Sequence, residues 1–251
     1  MRRLLIGASI ATILTSLICL ALTPSHPGDL PRHFQSPIVA AELVRNAAEI
    51  EQVYGTAAQA GRCGARQDDA APPWDCAFSA TMRWNTGVDF LAIASYALTF
   101  FLLGRLLPNR LGWLVMILAP IAALGDIVEN IGILRATSET ATDALALAIR
   151  GPALVKWSAL SLIWLSYVVL FWGRFRSSGA SLSWRVAEFA TGLLYGAAGA
   201  LCLVGLLGNE SLLEPGVLAV GMAILLQVSV LWRDRDMPRD YRLEAMSAER
   251  S

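Results

Sequence analysis

The sequence predicts an all-α protein, a polytopic bundle of transmembrane helices, and three observations support this. Of the 251 residues, 55% are hydrophobic and 16% are charged, whereas about 25% charged residues is usual in soluble domains. The formal net charge is zero, so nothing favours nucleic acid as a partner. The apolar residues form six long runs, each close to the roughly 20 residues that a helix needs to cross a bilayer. Backbone groups in lipid must be hydrogen-bonded internally, so these runs are expected to be helices.

The runs divide the chain into four segments. The six predicted spans cover residues 4–22, 88–107, 111–134, 154–172, 186–207 and 217–232. The segments are an N-terminal anchor (1–23), an extracytoplasmic segment (24–85), a core of three spans (86–173), and an additional hairpin with a cytoplasmic tail (174–251). The "MRR" start is typical of a signal peptide. The long apolar run and the lack of a small-x-small cleavage site favour an uncleaved anchor instead.

Arginines predict the orientation of the spans. The six predicted spans place the arginines of the short loops and of both termini on the same side of the membrane: Arg2, Arg3, Arg105, Arg110, Arg174, Arg176, Arg185, Arg233, Arg235, Arg239 and Arg242. The loop "GNESLLEPG" on the other side is acidic. By the positive-inside rule both termini are expected in the cytoplasm. Six tryptophans lie at predicted span ends, as is typical of membrane interfaces: Trp84, Trp113, Trp157, Trp172, Trp184 and Trp232.

The extracytoplasmic segment is expected to contain one amphipathic helix over residues 38–54, preceded by proline and followed by Gly55. Its apolar side is predicted to hold Val39, Leu43, Ala47, Ile50, Val53 and Tyr54, and its polar side Glu42, Arg45, Glu49 and Gln52. We expect this helix to cap the bundle or lie on the membrane surface, in preference to acting as a lid or partner-binding helix. A second, short interfacial helix is expected over residues 138–151.

Cysteines and histidines do not indicate a metal site, and no cofactor is predicted. Cys63 and Cys76 lie in the extracytoplasmic segment, where an oxidising compartment favours a disulfide between them over two free thiols. The other two cysteines lie in separate spans and are interpreted as small apolar residues: Cys19 and Cys202. No CxxC or Cys/His ligand spacing is present. The two histidines, His26 and His33, are expected to be solvated.

Polar residues inside the spans are the strongest indication of function. In "ILAPIAALGDIVENIGIL" (117–134), Asp126, Glu129 and Asn130 have spacings of three and four residues, which place them on one helix face. At 1.5 Å per residue they lie about 8–13 Å below the outer end of the span. Asp89, seven residues before Tyr96, and Lys156 in the first turns of its span have similar depth. Equal depth permits one cluster but does not establish contact.

The charge of such a cluster is unbalanced. Charges at membrane depth cost several kcal/mol when isolated, so they face the bundle interior and pair or become neutral. One lysine cannot neutralise three carboxylates, and at least one carboxyl is therefore expected to be protonated unless Arg83, Arg135 or water reaches it. A buried network that only fixes helix register is the alternative interpretation.

Three motifs resemble those of a known family. "DFLAIASY" (89–96), "DIVEN" (126–130) and "ALVKW" (153–157) follow an anchor and an outer helix in that order. This pattern is similar to a family of functionally uncharacterised bacterial multi-spanning membrane proteins with an Asp-Phe…Tyr span, a DxxEN span and a lysine span. The resemblance covers about the first 175 residues. It implies a shared architecture in the cytoplasmic (inner) membrane of a bacterium. It also nominates the same six residues, Asp89, Tyr96, Asp126, Glu129, Asn130 and Lys156, but it implies no activity.

Three functions are compatible with these features. The favoured hypothesis is a site in the outer leaflet that binds or moves an amphipathic or cationic small ligand, or protons. The first alternative is a structural or regulatory membrane protein whose polar network only fixes helix packing. The second is an intramembrane lipid-modifying enzyme with two carboxylates as acid and base, which ranks lower because no Ser–His or Cys–His arrangement is present. Membrane lipids are the expected partners, and a glycine stripe in the fifth span (Gly192, Gly196) is expected to serve packing within the bundle rather than a homodimer.

Overall fold

Six long helices and two short ones make up the part of the protein that the structure describes. The computed structural model describes residues 2–55, 74–107, 109–177 and 181–233, and within these residues no strand occurs. The helices are α1 (Arg2–Ala21), α2 (Pro37–Glu42), α3 (Ala47–Tyr54), α4 (Trp74–Gly104), α5 (Asn109–Ala136), α6 (Asp143–Ser177), α7 (Leu182–Leu207) and α8 (Leu213–Arg233). Two 3₁₀ turns lie at Pro31–His33 and Glu210–Leu212. The predicted all-α class is confirmed.

The six long helices are apolar and long enough to cross a membrane, and the protein is an integral membrane protein. Each follows one predicted span. The largest differences are at α4, which begins at Trp74 inside the segment predicted to precede the spans, and at α6, which begins at Asp143. The separate interfacial helix expected over 138–151 is therefore wrong, because α6 continues without a break through Pro152.

Packing against α5 explains why α6 extends so far. A β-carbon added to Gly132 would lie 2.7 Å from Cγ1 of Ile149, and one added to Gly125 would lie 3.0 Å from the carbonyl oxygen of Pro152. These contacts bring the two backbones close over the whole length between the two glycines. Because Ile149 is fully buried, its turn of α6 belongs to the helix bundle and not to the membrane surface.

The six long helices form a closed ring. Each of α4 to α7 packs against the next helix in sequence, and α1 packs between α4 and α8. Hydrogen bonds support the closure: the Thr12 and Thr99 hydroxyl oxygens are 3.2 Å apart between α1 and α4, and Gln227 of α8 donates to Ser9 of α1 at 3.0 Å. All six helices therefore present one of their ends on each side of the ring.

Residues 31–54, which we call the cap, close one end of this ring. The predicted single helix 38–54 is wrong, because the chain leaves the helix at Leu43 and restarts after Asn46. Asn46 accepts a hydrogen bond from the backbone N–H of Glu49 at 3.0 Å, and such an N-cap begins a new helix in place of the continued one. Leu43 and Val44 in the break are fully buried, as are Ile50 and Tyr54 of α3. The cap thus packs into the bundle end and does not lie on a surface.

The loop between α7 and α8 holds the cap in place. Glu210 in this loop is buried and pairs with three arginines, and we call this group the arginine junction: Arg32 and Arg45 of the cap, and Arg150 of α6. Arg32 also pairs with Glu49 of the cap at 3.0 Å. The last two helices, predicted as an additional hairpin beyond the core of three spans, therefore anchor the cap.

Candidate functional site

The predicted face of α5 points into the bundle beneath the cap. Asp126, Glu129 and Asn130 are 5%, 0% and 3% exposed. Their spacing of three and four residues places them on the side of α5 that faces α4 and α6. Since α5 ends at Ala136, the three residues lie about 9–15 Å from its end. They are thus inside the predicted membrane span and shielded from lipid.

Lys156 of α6 lies among three carboxyl groups. Its Nζ donates to Oδ1 of Asp126 at 3.1 Å and to Oε1 of Glu129 at 2.9 Å, and it lies 3.1 Å from Oε1 of Glu42. The close approach of α6 at Gly125 brings the backbone of Lys156 next to that of Asp126. Lys156 is 13 residues into α6, not in its first turns as predicted, because α6 begins early.

Residues of α4 complete the group. The Tyr96 hydroxyl donates to Oδ2 of Asp126 at 2.8 Å, and Nδ2 of Asn130 donates to Oδ2 of Asp89 at 2.8 Å. Four of the six residues nominated from the sequence therefore form one hydrogen-bonded network, Tyr96, Asp126, Glu129 and Lys156, and Asp89 and Asn130 form a hydrogen-bonded pair between α4 and α5. These six residues, together with Glu42, are called the carboxylate cluster below. Its role as a ligand or proton site stays a prediction.

Glu42 was missed by the sequence reasoning. It was assigned to the exposed side of a single helix, but α2 ends at Glu42, and the side chain enters the bundle with 8% exposure. Its Oε2 accepts a hydrogen bond from Nε1 of Trp157 at 2.9 Å. Trp157 was expected at a membrane interface and is instead 6% exposed. The signal that could have revealed both is Asn46, a strong N-cap residue in the middle of the predicted helix.

Burial controls the protonation of Glu42. Desolvation raises the pKa of this carboxyl above its ordinary value of 4.5; the ammonium of Lys156 opposes the rise, and the charge of Asp126 adds to it. The burial effect is the largest of the three. Glu42 is thus an acid that the folded protein holds in its neutral form more readily than water does.

The two arginines that the sequence offers as further partners of the cluster carboxyl groups bond to other residues. Arg83 donates from Nε to the hydroxyl of Thr137 at 2.8 Å, and Arg135 pairs with Glu139 at 2.8 Å on the surface. In the cluster itself the carboxyl groups of Glu42, Asp126 and Glu129 surround the single ammonium of Lys156, and a fourth carboxyl group, of Asp89, is bonded to Asn130. The cluster therefore carries excess acid even with its lysine fully charged.

The histidine and cysteine side chains that the structure describes do not form a metal site. Among the described residues, no group of three or more His, Cys, Asp or Glu side chains could hold a metal ion. His26 bonds to the carbonyl oxygens of Gly28 and Gln52. Cys76 is disulfide-bonded, but Cys63 lies outside the described residues, so the predicted pairing of the two stays a prediction. The remaining described cysteines are free thiols: Cys19 and Cys202.

The fold and the cluster together define an all-α integral membrane protein with a buried, acid-rich polar centre. No family model, no curated protein and no solved structure matches the chain. The resemblance to bacterial proteins with a DxxEN span accordingly stays a prediction.

Proposed function

We propose that the carboxylate cluster is a binding site for protons or a small cationic ligand. The observation that carries this proposal is the ratio of four carboxyl groups to one lysine inside the buried cluster. Four ionised carboxylates would leave three negative charges without a partner at membrane depth, where each costs several kcal/mol. At least one of the four therefore holds a proton or attracts another cation.

Burial favours protons or a small cation over a large amphipathic molecule. Glu129 is fully buried, and Asp126, Lys156 and Glu42 are nearly so. A proton can reach such a site through transient water, whereas a bulky ligand requires displacement of the cap. The cap is held by Glu42 from within and by the arginine junction at its edge.

The second candidate is a purely structural role. Glu42 joins the cap to α6 through Lys156 and Trp157, and a network of this kind can fix the position of one element on another. Against it, buried ionic groups contribute little net stability, and the excess of carboxyl groups adds repulsion that a structural network does not need.

We also propose that both termini are cytoplasmic and that the membrane is the inner membrane of a bacterium. Arginines at the end of the ring opposite the cap support this orientation: Arg3, Arg105, Arg110, Arg174, Arg176, Arg185 and Arg233. The carboxylate cluster then lies in the outer half of the membrane, beneath an extracytoplasmic cap.

Neutral substitutions test the proposal. Asp126→Asn, Glu129→Gln and Lys156→Met are made singly and in pairs in the full chain, and thermal stability and retained ligands are measured, the latter by native mass spectrometry. Glu188→Gln is the matched control, since Glu188 is equally buried but pairs with Arg174 at 3.2 Å at the other end of the ring.

The site proposal predicts a bound species that is lost from Asp126→Asn or Glu129→Gln at little cost in stability. The structural alternative predicts the reverse. It is supported if Asp126→Asn with Lys156→Met restores the stability lost in the single variants, and neither a ligand nor a protonated cluster carboxyl is found.

A further inference from the structure

The surroundings of Lys156 define the chemistry that the carboxylate cluster accepts. A primary ammonium lies within 3.1 Å of oxygen atoms from three carboxyl groups, and it also lies 4.9 Å from the centre of the Trp157 ring. Carboxylate acceptors and an aromatic face are the groups that stabilise an organic ammonium. The protein's own lysine therefore occupies a cage suited to an R–NH₃⁺ group.

The cage has more acceptors than Lys156 uses. Oε2 of Glu129 lies 2.8 Å from Nζ and makes no hydrogen bond with any residue that the structure describes. Asp89 is bonded to Asn130 and not to the lysine. An incoming ammonium can thus first bond to carboxylate oxygens that Lys156 does not use, and then take over those that it does.

The cap supplies a further polar atom that has no hydrogen-bond partner among the described residues. Tyr54, the last residue of α3, is fully buried, and its hydroxyl makes no hydrogen bond. An unsatisfied buried hydroxyl costs about 1–3 kcal/mol. The other fully buried tyrosine hydroxyls are satisfied: Tyr167 donates to the carbonyl of Phe100 at 3.0 Å, and Tyr195 donates to Gln227.

Tyr54 lies within the electrostatic field of the cluster. Burial is the main cause that raises the pKa of its hydroxyl, and the negative charges of Glu129 and Glu42 raise it further. The α3 helix packs against α4 and α6, and the buried Tyr54 ring lies 6.0 Å from the Phe78 ring of α4, so this side chain is on the side of the cap that faces the bundle. Its position suits contact with a molecule held between the cap and Glu129.

We propose that the carboxylate cluster binds a short primary alkylammonium ion, which exchanges with the ammonium of Lys156 and donates hydrogen bonds to Glu129 and to the hydroxyl of Tyr54. This inference rests on the proposed function, which requires only a proton or a cation, and adds the ligand class. A quaternary ammonium has no N–H group to donate to these oxygens. A long ligand would not fit beneath the buried cap.

Chemical rescue tests the cage directly. Lys156→Ala removes three methylene groups and the ammonium, which n-propylammonium replaces atom for atom. We expect n-propylammonium chloride to raise the unfolding temperature of purified Lys156→Ala. The matched neutral molecule n-propanol and tetramethylammonium chloride at equal ionic strength should not do so. Equal effects of all three additives would overturn the proposal.

The protein with its native lysine provides the second measurement, which does not depend on the folding of Lys156→Ala. Methylammonium chloride, compared with tetramethylammonium chloride, is expected to stabilise the unsubstituted protein. Tyr54→Phe should weaken the apparent affinity roughly tenfold, as loss of a hydrogen bond to a charged group predicts. Tyr167→Phe, the control for loss of a buried hydroxyl, should keep the affinity.

Two results of the methylammonium measurement would contradict the proposed ligand class or the role of Tyr54. No difference between the two salts in the unsubstituted protein excludes a primary ammonium ligand, and an unchanged affinity in Tyr54→Phe excludes the role of the cap. Either failure leaves the proposed function intact if the carboxyl groups still bind protons. Failure of the neutral variants to change any bound species or protonation would instead remove the proposed function itself.

Discussion

The carboxylate cluster and the arginine junction are two charged groups attached to the same cap, and they are built differently. In the junction, the carboxylates of Glu210 and Glu49 lie among three arginines, and the carbonyl oxygen of Leu43 also accepts from Arg150 at 2.8 Å. Guanidinium groups carry five N–H donors and can bond several acceptors at once. In the cluster, a single lysine serves several carboxyl groups in the interior. The junction is suited to holding the cap, and the cluster to binding a cation.

Loss of the lysine is expected to have the largest effect. Lys156→Met leaves the carboxyl groups of the cluster without their cation and should lower the free energy of unfolding by about 3–5 kcal/mol. The measurement is denaturant or thermal unfolding of the detergent-purified protein. Adding Glu129→Gln to this variant should recover part of the loss, because it removes one of the repelling acids. No recovery would indicate that the lysine acts by packing alone.

The second-largest effect is expected when one acid is removed, and its size should differ between the arginine junction and the carboxylate cluster. Glu210→Gln leaves three arginines facing each other, and we expect a loss of about 2–3 kcal/mol, less than for a fully buried pair because the arginines are partly exposed. Glu129→Gln removes an excess acid and should cost less than about 1 kcal/mol. Limited proteolysis of the cap, compared between the two variants, checks that the junction holds it. Equal losses would remove the distinction between the regions.

The stability of the protein should depend on pH through Glu42, the cap residue that belongs to the carboxylate cluster. Because the pKa of Glu42 is raised in the folded protein, this group favours the folded state most at low pH, and that contribution is lost as pH rises from about 4.5 through the folded pKa. Glu42→Gln should therefore flatten the fall in unfolding temperature over this range. Thermal unfolding at several pH values measures it, and a pH profile unchanged by Glu42→Gln would contradict the assignment.

The smallest effect is expected at the rim of the junction. The Arg45 side chain is 50% exposed and lies 3.4 Å from Glu210, so Arg45→Gln should change stability by no more than about 0.5–1 kcal/mol. The same unfolding assay applies. A loss as large as that of Glu210→Gln would mean that the pairs are more strongly coupled than their exposure suggests.

Periodicity and depth were sufficient to predict the spans and the inward face of α5. Apolar run length locates a helix in lipid, and spacings of three and four residues align Asp126, Glu129 and Asn130. The position of Asp89 and Lys156 along their spans predicts their depth in the membrane, but it does not predict the direction in which they face around the helix axis. That direction depends on close packing at Gly125 and Gly132, and such pairing between helices has no local pattern in the sequence.

The cap could not be predicted in the same way. A continuous helix over 38–54 separates apolar from polar residues well, yet the break at residues 43–46 turns Glu42 inward. The sequence likewise treats Glu210 only as part of an acidic loop that predicts orientation. In the structure Glu210 is buried among arginines that are distant in sequence. Both errors arise because tertiary contacts decide which polar residues of a short segment are buried.

The protonation of the cluster is the most direct test of the central claim that its carboxyl groups outnumber their cations for a functional reason. Difference infrared spectroscopy of the purified protein resolves the C=O stretch of protonated carboxyl groups, and it can be recorded with Glu129→Gln, Asp126→Asn and the control Glu188→Gln. We predict a protonated-carboxyl band at neutral pH that decreases in the two cluster variants and persists in Glu188→Gln. A band that is absent from the unsubstituted protein, or unchanged in both cluster variants, would contradict the account.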